Sequence, residues 1–324
     1  MGSTTSNAEI RSEATSSKRP PSSANRSRTL PDRTKPAGGA LGAAQAAYHI
    51  YYGKERVTPD TLDAMKGSYL GPEFGDQDIE MVARNAKLAY LASVLDAPAI
   101  PQLASLTSPV DLQDVWSAGV TFPNKRAARE QEAKVGGELY TAAFNAQRPM
   151  LIFKAQAGQV VGPYGQVGIR KDAANSIAEP ELALLLNPAL EIVGYTIGVG
   201  MFARDIAAEN PLFLPQAMQY SHSVALGPGF MLQKLRGLAQ SNMRMTVIRD
   251  RQTVFEGEVS TSAMQRDLNS TIEYLGRCHT FPDGVVLMTG SGIVLPSDFT
   301  MRVGDTVRVS ADGVGTLTNQ VMLV

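Results

Sequence analysis

Cysteine is nearly absent from this chain of 324 residues: Cys278 stands alone, so no intramolecular disulfide can form, and one cysteine with three histidines cannot build a Cys/His zinc cage. Aromatic side chains make up only 6% of the residues. No apolar run approaches the roughly 18 residues needed to cross a bilayer, and the N-terminal stretch lacks the apolar middle region of a secretory signal. These absences point to a reducing, cytoplasmic setting and to no membrane partner. Neither sign of charge prevails. Thirty basic against 31 acidic residues leave a net charge of −1, without the positive footprint by which a protein neutralises nucleic-acid phosphates.

Hydrophobic residues, by contrast, reach 44%, enough for one or two sizeable cores. They are unevenly spread. Residues 1–40 are rich in Ser, Thr, Pro and Arg; seven basic and three acidic side chains give this stretch a charge of +4 and no means of building a core, so a disordered tail is expected. Gly2 and Ser6 fit the short Met-Gly-x-x-x-Ser myristoylation pattern, which arises readily by chance in so Ser-rich a tail. Residues 41–110 carry helical signals, including Asp76 as a cap before Ile79, Val82, Ala83, Ala86 and Tyr90, and then a Pro-bearing linker at Pro98 and Pro101.

From about 111 to 324 the texture becomes short β-like runs between Gly and Pro, at 150–153, 166–170, 191–199, 243–249, 253–259, 285–289 and 306–310. Two helical patches interrupt them, one over 125–146 and one from an N-cap at Ser262 through Met264, Leu268, Ile272 and Leu275. This spacing predicts a β-dominated, mixed α+β fold, a roll or barrel, without internal repeats.

Two motifs invite chemistry. Glu179-Pro180-Glu181 leads into a strand, where residues two apart share a face; two carboxylates side by side suit a hard divalent cation, although the same pattern also describes a solvated strand face. Gly198-Val199-Gly200-Met201-Phe202-Ala203 spells a dinucleotide fingerprint, but no acidic residue follows about 20 positions on and no βαβ rhythm surrounds it. His49, His222 and His279 lie apart, with no triad spacing, and Cys278 is expected to pack at the tail of an amphipathic helix.

Taken in order, a longer series of motifs resembles the fumarylacetoacetate hydrolase superfamily, and within it the dehydratases of 2-keto-3-deoxy sugar acids such as arabinonate and xylonate. It runs from Trp116-Ser117-Ala118-Gly119-Val120-Thr121-Phe122 through Phe153-Lys154-Ala155, Glu179-Pro180-Glu181-Leu182-Ala183 and Gly194-Tyr195-Thr196-Ile197-Gly198. It continues with Ala203-Arg204-Asp205-Ile206, Glu209-Asn210-Pro211-Leu212, Gly227-Pro228, Phe281-Pro282-Asp283-Gly284 and Thr289-Gly290-Ser291-Gly292. The resemblance implies a β-roll over 111–324 whose mouth holds Mg²⁺ or Mn²⁺ between two glutamates, matched by Glu179 and Glu181, and an aspartate. At the aspartate position this chain has Gly200, and where relatives carry a substrate lysine it has Met218. The metal site is therefore expected to be weakened, unless Asp205 or Glu209 fills the gap.

Further expectations follow from the same resemblance. Glu132, in a lid-like helix with Arg126, Arg129 and Glu130, is a candidate general base; Lys154 lies near the site; Thr289 donates to a substrate carboxylate; Arg204 and Asp205 pair with each other. The implied activity is metal-assisted loss of water from a 2-keto acid in a homodimer, with a catalytically silent homologue and a C–C bond hydrolase of a β-diketone acid as alternatives.

Overall fold

The computed structural model describes residues 108–110, 112–232 and 241–324. The tail and the helical segment expected before residue 108 lie outside the described residues. Among those described, no helix is long and apolar enough to cross a membrane.

Among the described residues, eleven strands make two sheets. They are β1 (Asp114–Gly119), β2 (Met150–Ala155), β3 (Gln166–Ile169), β4 (Ser176–Leu186), β5 (Ile192–Ala203), β6 (Val224–Leu232), β7 (Asn242–Arg249), β8 (Gln252–Ser260), β9 (Val285–Met288), β10 (Thr306–Ala311) and β11 (Gly315–Leu323). The first sheet has the order β2-β1-β9-β4-β5-β6 and the second β3-β11-β10-β7-β8. Pairing is antiparallel except for β1 with β9 and β3 with β11. The strand-dominated architecture predicted for 111–324 is therefore present, and most predicted runs sit inside strands; β6 and β11 were not among them.

The two sheets bury their facing sides in one apolar cluster, with Leu182, Ile197, Val199 and Met201 from the first and Met245, Val247, Val309 and Leu317 from the second. Farther along the same side of the first sheet, α5 (Leu268–Gly276) sets Ile272 and Leu275 on Leu184, Leu186 and Leu287. The second helical patch thus starts later than expected. Asp267, not Ser262, is its cap, accepting from the Asn269 and Ser270 amides, while 261–263 form a separate 3₁₀ turn behind Ser260. Beyond its end Cys278 is exposed with φ +61°, so it does not pack as expected.

The helical patch at 125–146 is two helices, α1 (Pro123–Glu132) and α2 (Glu138–Asn145), parted at Gly136-Gly137. Pro123 opens α1 at a position where a missing N–H costs nothing. Gly136, at φ +69°, supplies the left-handed residue between them. Two short helices, α3 (Arg204–Glu209) and α4 (Leu214–Met218), follow β5.

Every residue of β4 is buried, the mark of a strand covered on both faces. Four leucines, Leu182, Leu184, Leu185 and Leu186, are almost wholly inaccessible. At about 1.5–3 kcal/mol each, they are large enough to offset several kcal/mol of desolvation. That is what lets this strand carry Glu179 and Glu181 inward at 5% and 2% exposure. The solvated-face reading of the Glu-x-Glu pattern is excluded.

Candidate active site

β4 and β5 run antiparallel with Glu179 opposite Gly200 and Glu181 opposite Gly198, so these four positions share one face. Above that face is a cleft with about 400 Å³ of free space, its open mouth included, lined by Ser117, Lys125, Arg129, Tyr140, Glu179, Glu181, Phe202, Met218 and Gly290. They come from several elements. β1 brings Ser117, α1 brings Lys125 and Arg129 one helical turn apart, α4 ends in Met218, and the turn after β9 offers the Gly290 amide.

The two glutamates live in different fields. Glu179 Oε1 accepts from Arg129 Nη2 and stands 2.5 Å from Lys125 Nζ. Burial disfavours its ionised form, but Arg129 and Lys125 outweigh it and hold the carboxyl down at about 2. Glu181 Oε2 accepts from the Ser117 hydroxyl at 2.9 Å and the Gly290 amide at 2.7 Å. Burial, opposed by Lys154 and reinforced by the neighbouring Glu179 charge, pushes Glu181 up to about 7. Burial likewise lowers the ammonium groups of Lys125 and Lys154, against the pull of the same glutamates.

Gly290 is required by its surroundings. With φ +91°, an added Cβ would lie 2.7 Å from the Ala118 carbonyl and against Thr121 Oγ1, so no larger residue can present its amide to Glu181 in this way.

The other expected residues are distributed as follows. Lys154 is buried at 2% exposure, and its Nζ has no hydrogen-bond partner among the described residues. Glu132 is a partner of two arginines, 2.8 Å from Arg129 Nη1 and 3.1 Å from Arg204 Nε, and does not line the cleft. Thr289 is buried with its hydroxyl donating to the Leu182 carbonyl at 3.0 Å, which commits the proton a substrate carboxylate would need. Arg204 does not pair with Asp205. Its guanidinium donates to the Leu295, Pro296 and Ser297 carbonyls, because the 295–297 loop packs over α3, while Asp205 accepts from the Ala174 amide. Arg126 and Glu130 pair with each other on the outer side of α1.

Asp205 therefore does not fill the gap at Gly200. An ideal Cβ on Gly200 would stand 3.1 Å from Lys154 Nζ and 3.4 Å from Glu181 Oε1. Among the described residues, no group of three or more His, Cys, Asp or Glu side chains could hold a metal ion. The dinucleotide fingerprint has no loop to form: 198–203 lie within β5, buried throughout. Of the cleft residues, Ser117, Lys125, Tyr140 and Gly290 had no assigned role in the sequence reading. Only the Lys125/Arg129 spacing on one helix could have signalled a cationic face.

Residues 116–322 match the family described as fumarylacetoacetate (FAA) hydrolase C-terminal. The chain belongs to the fumarylacetoacetate hydrolase family. Within that family it is 35% identical over 240 residues to a probable 2-keto-3-deoxyxylonate dehydratase of Haloferax volcanii, covering 74% of this chain and 82% of the relative. It is 34% identical over 216 residues to a 2-dehydro-3-deoxy-D-arabinonate dehydratase of Saccharolobus solfataricus, covering 65% and 72%. Among solved structures, a 2-keto-3-deoxy-D-arabinonate dehydratase complexed with magnesium and 2,5-dioxopentanoate superposes with a TM-score of 0.65 at 28% identity, over 88% of this chain and 89% of that one. Its apo form gives 0.66 over the same shares. This family member thus has sugar-acid dehydratases as homologues and shares their fold.

Proposed function

We propose that the protein removes water from a 2-keto-3-deoxy sugar acid in this cleft, and that the family's Mg²⁺ or Mn²⁺ centre is weakened here. The observation that carries the reading is the buried Glu179/Glu181 pair on the floor of a cleft whose wall presents Lys125 and Arg129. A small 2-keto acid is an anion, and cations at a desolvated wall suit its carboxylate. Glu181, aimed into the cleft by Ser117 and Gly290, is the carboxyl placed to exchange a proton with a bound substrate. Glu132 acts through Arg129 and Arg204 by fixing their position, and Thr289 fixes the turn that carries Gly290. Dehydratase relatives at 34–35% identity support the reaction class.

The donor set does not fit a divalent ion of this kind. Glu179 is already paired with two cations, and position 200 has no side chain. Mg²⁺ loses its waters reluctantly and repays that only with several oxygen ligands. The same internal pairing favours a second reading, a catalytically silent homologue that keeps the fold for binding or assembly. The proposed state is a cytoplasmic homodimer without nucleic-acid or membrane partners; apolar side chains exposed at Val135, Leu139 and Leu212 support self-association, which light scattering on the purified protein checks. The test of function is incubation with a panel of 2-keto-3-deoxy acids, with and without Mn²⁺, following the dehydrated dioxo acid. Product formation lost in Glu181→Gln supports the dehydratase; no product from any acid favours the silent homologue, and cleavage products would point to C–C hydrolysis.

A further inference from the structure

Lys154 is the unexplained charge of the site. It sits on β2 where the pairing with β1 skips a residue, Val115 facing Ala155 and Trp116 facing Phe153, so Lys154 is the extra residue of a β-bulge. Bulges commonly re-aim a side chain beside an active site. This one buries an ammonium group to 2% exposure with no hydrogen-bond partner among the described residues. A buried cation without a hydrogen-bond partner costs several kcal/mol, and the Glu181 and Glu179 charges offset that cost without bonding the ammonium.

The position of its Nζ is informative. It lies 3.1 Å from where a Cβ of residue 200 would be, and Glu181 Oε1 lies 3.4 Å from the same point. The ammonium thus stands in the space into which a longer side chain at 200 would extend. Three cations, Lys125, Arg129 and Lys154, surround two carboxylates, Glu179 and Glu181, while Glu132 and Arg204 pair behind them. With every group in its charged form, the inner group carries one positive charge in surplus. Adding a divalent cation would raise that surplus; adding a monoanion would cancel it.

We propose that Lys154 takes the place of the divalent cation, and that the centre binds the carboxylate and 2-oxo oxygens of a 2-keto acid directly, without metal. The inference rests on the reading of the cleft as a 2-keto-acid site. The Lys154 ammonium stands beside Glu181 on the cleft side of Gly200, just outside the residues that line the cleft, and its flexible four-carbon stem brings it within reach of an arriving anion. Lys125 and Arg129 meet the same anion from the wall.

The test is calorimetric titration of the full chain, stripped with EDTA, with pyruvate and separately with Mn²⁺. Pyruvate is expected to bind the stripped protein, with an affinity that added Mn²⁺ does not improve. Lys154→Met should weaken it at least about tenfold, the loss of one charged hydrogen bond. Should that variant fail to fold, Gly200→Asp, whose carboxylate would neutralise Lys154, should weaken it by a similar factor. Pyruvate binding that requires Mn²⁺ overturns the inference and leaves the proposed function standing. No pyruvate binding under either condition overturns both. Retention of full affinity by either variant, once folded, also overturns the inference.

Discussion

Replacing Arg129 by Met tests whether Glu179 is held by an internal ion pair. The Arg129 guanidinium is buried, donates to Glu179 Oε1 and to Glu132 Oε2 at 2.8 Å, and lies 3.6 Å over the Phe202 ring. Breaking one partner out of a buried pair costs about 3–5 kcal/mol. Here each carboxylate keeps one cation, Glu179 with Lys125 at 2.5 Å and Glu132 with Arg204 at 3.1 Å, which places the cost at the lower end. The lost cation–π contact adds about 1 kcal/mol, for a total of about 4 kcal/mol. In a domain of this size, each kcal/mol moves the midpoint by roughly 2–4 °C, so a fall of about 8–16 °C is expected. Urea and thermal unfolding measure both quantities. In a Glu179→Gln background the same substitution should cost about 2 kcal/mol less, since the carboxylate that loses one of its two cations is gone. A loss below about 1 kcal/mol, the scale of an exposed pair, or an equal loss in both backgrounds, would refute the assignment.

Gly290→Ala should cost more than about 2 kcal/mol, because it forces a side chain into a positive-φ position 2.7 Å from the Ala118 carbonyl, and thermal unfolding will show it. Glu181, at about 7 in the fold, holds a proton that the unfolded chain gives up near 4.5. Its stabilising contribution is therefore full below about pH 4.5 and is lost as the pH rises to about 7; denaturant titrations across that window should show stability falling with pH in the wild type and a flatter profile in Glu181→Gln. Cys278 is exposed and free, so a maleimide should label the native protein at one site without shifting its unfolding midpoint.

The legible parts of the fold were those with a local period. Val285 to Met288 and Thr306 to Ala311 alternate or run apolar between turn residues, and they are strands. Glu179 and Glu181 share a face for the same reason, and the absence of a carboxylate at Gly200 and of a lysine at Met218 could be read because both positions fall within a continuous series of motifs. What was not legible depends on partners far along the chain. Ser117 and Gly290 reach Glu181 across 64 and 109 residues, and no spacing rule links them. Arg204 was matched to its neighbour Asp205 by sequence adjacency, whereas the fold gives it Glu132 and three carbonyls from the 295–297 loop. Ser262 looked like a cap because Ser favours that place. Asp267, closer to the first apolar turn, supplies the acceptor instead.

The order of strands in the first sheet also governs how the molecule is made. β9 is the last of the six to leave the ribosome, yet it fills the slot between β1 and β4. The intervening stretch of about 100 residues, at roughly 5–20 residues per second, keeps both neighbouring edges open for about 5–20 s of synthesis. During that interval the nascent chain exposes two unpaired strand edges, and Glu181 lacks the Gly290 amide. A product truncated before residue 285 keeps those edges permanently, and is the form of this chain most prone to aggregate and most in need of a chaperone.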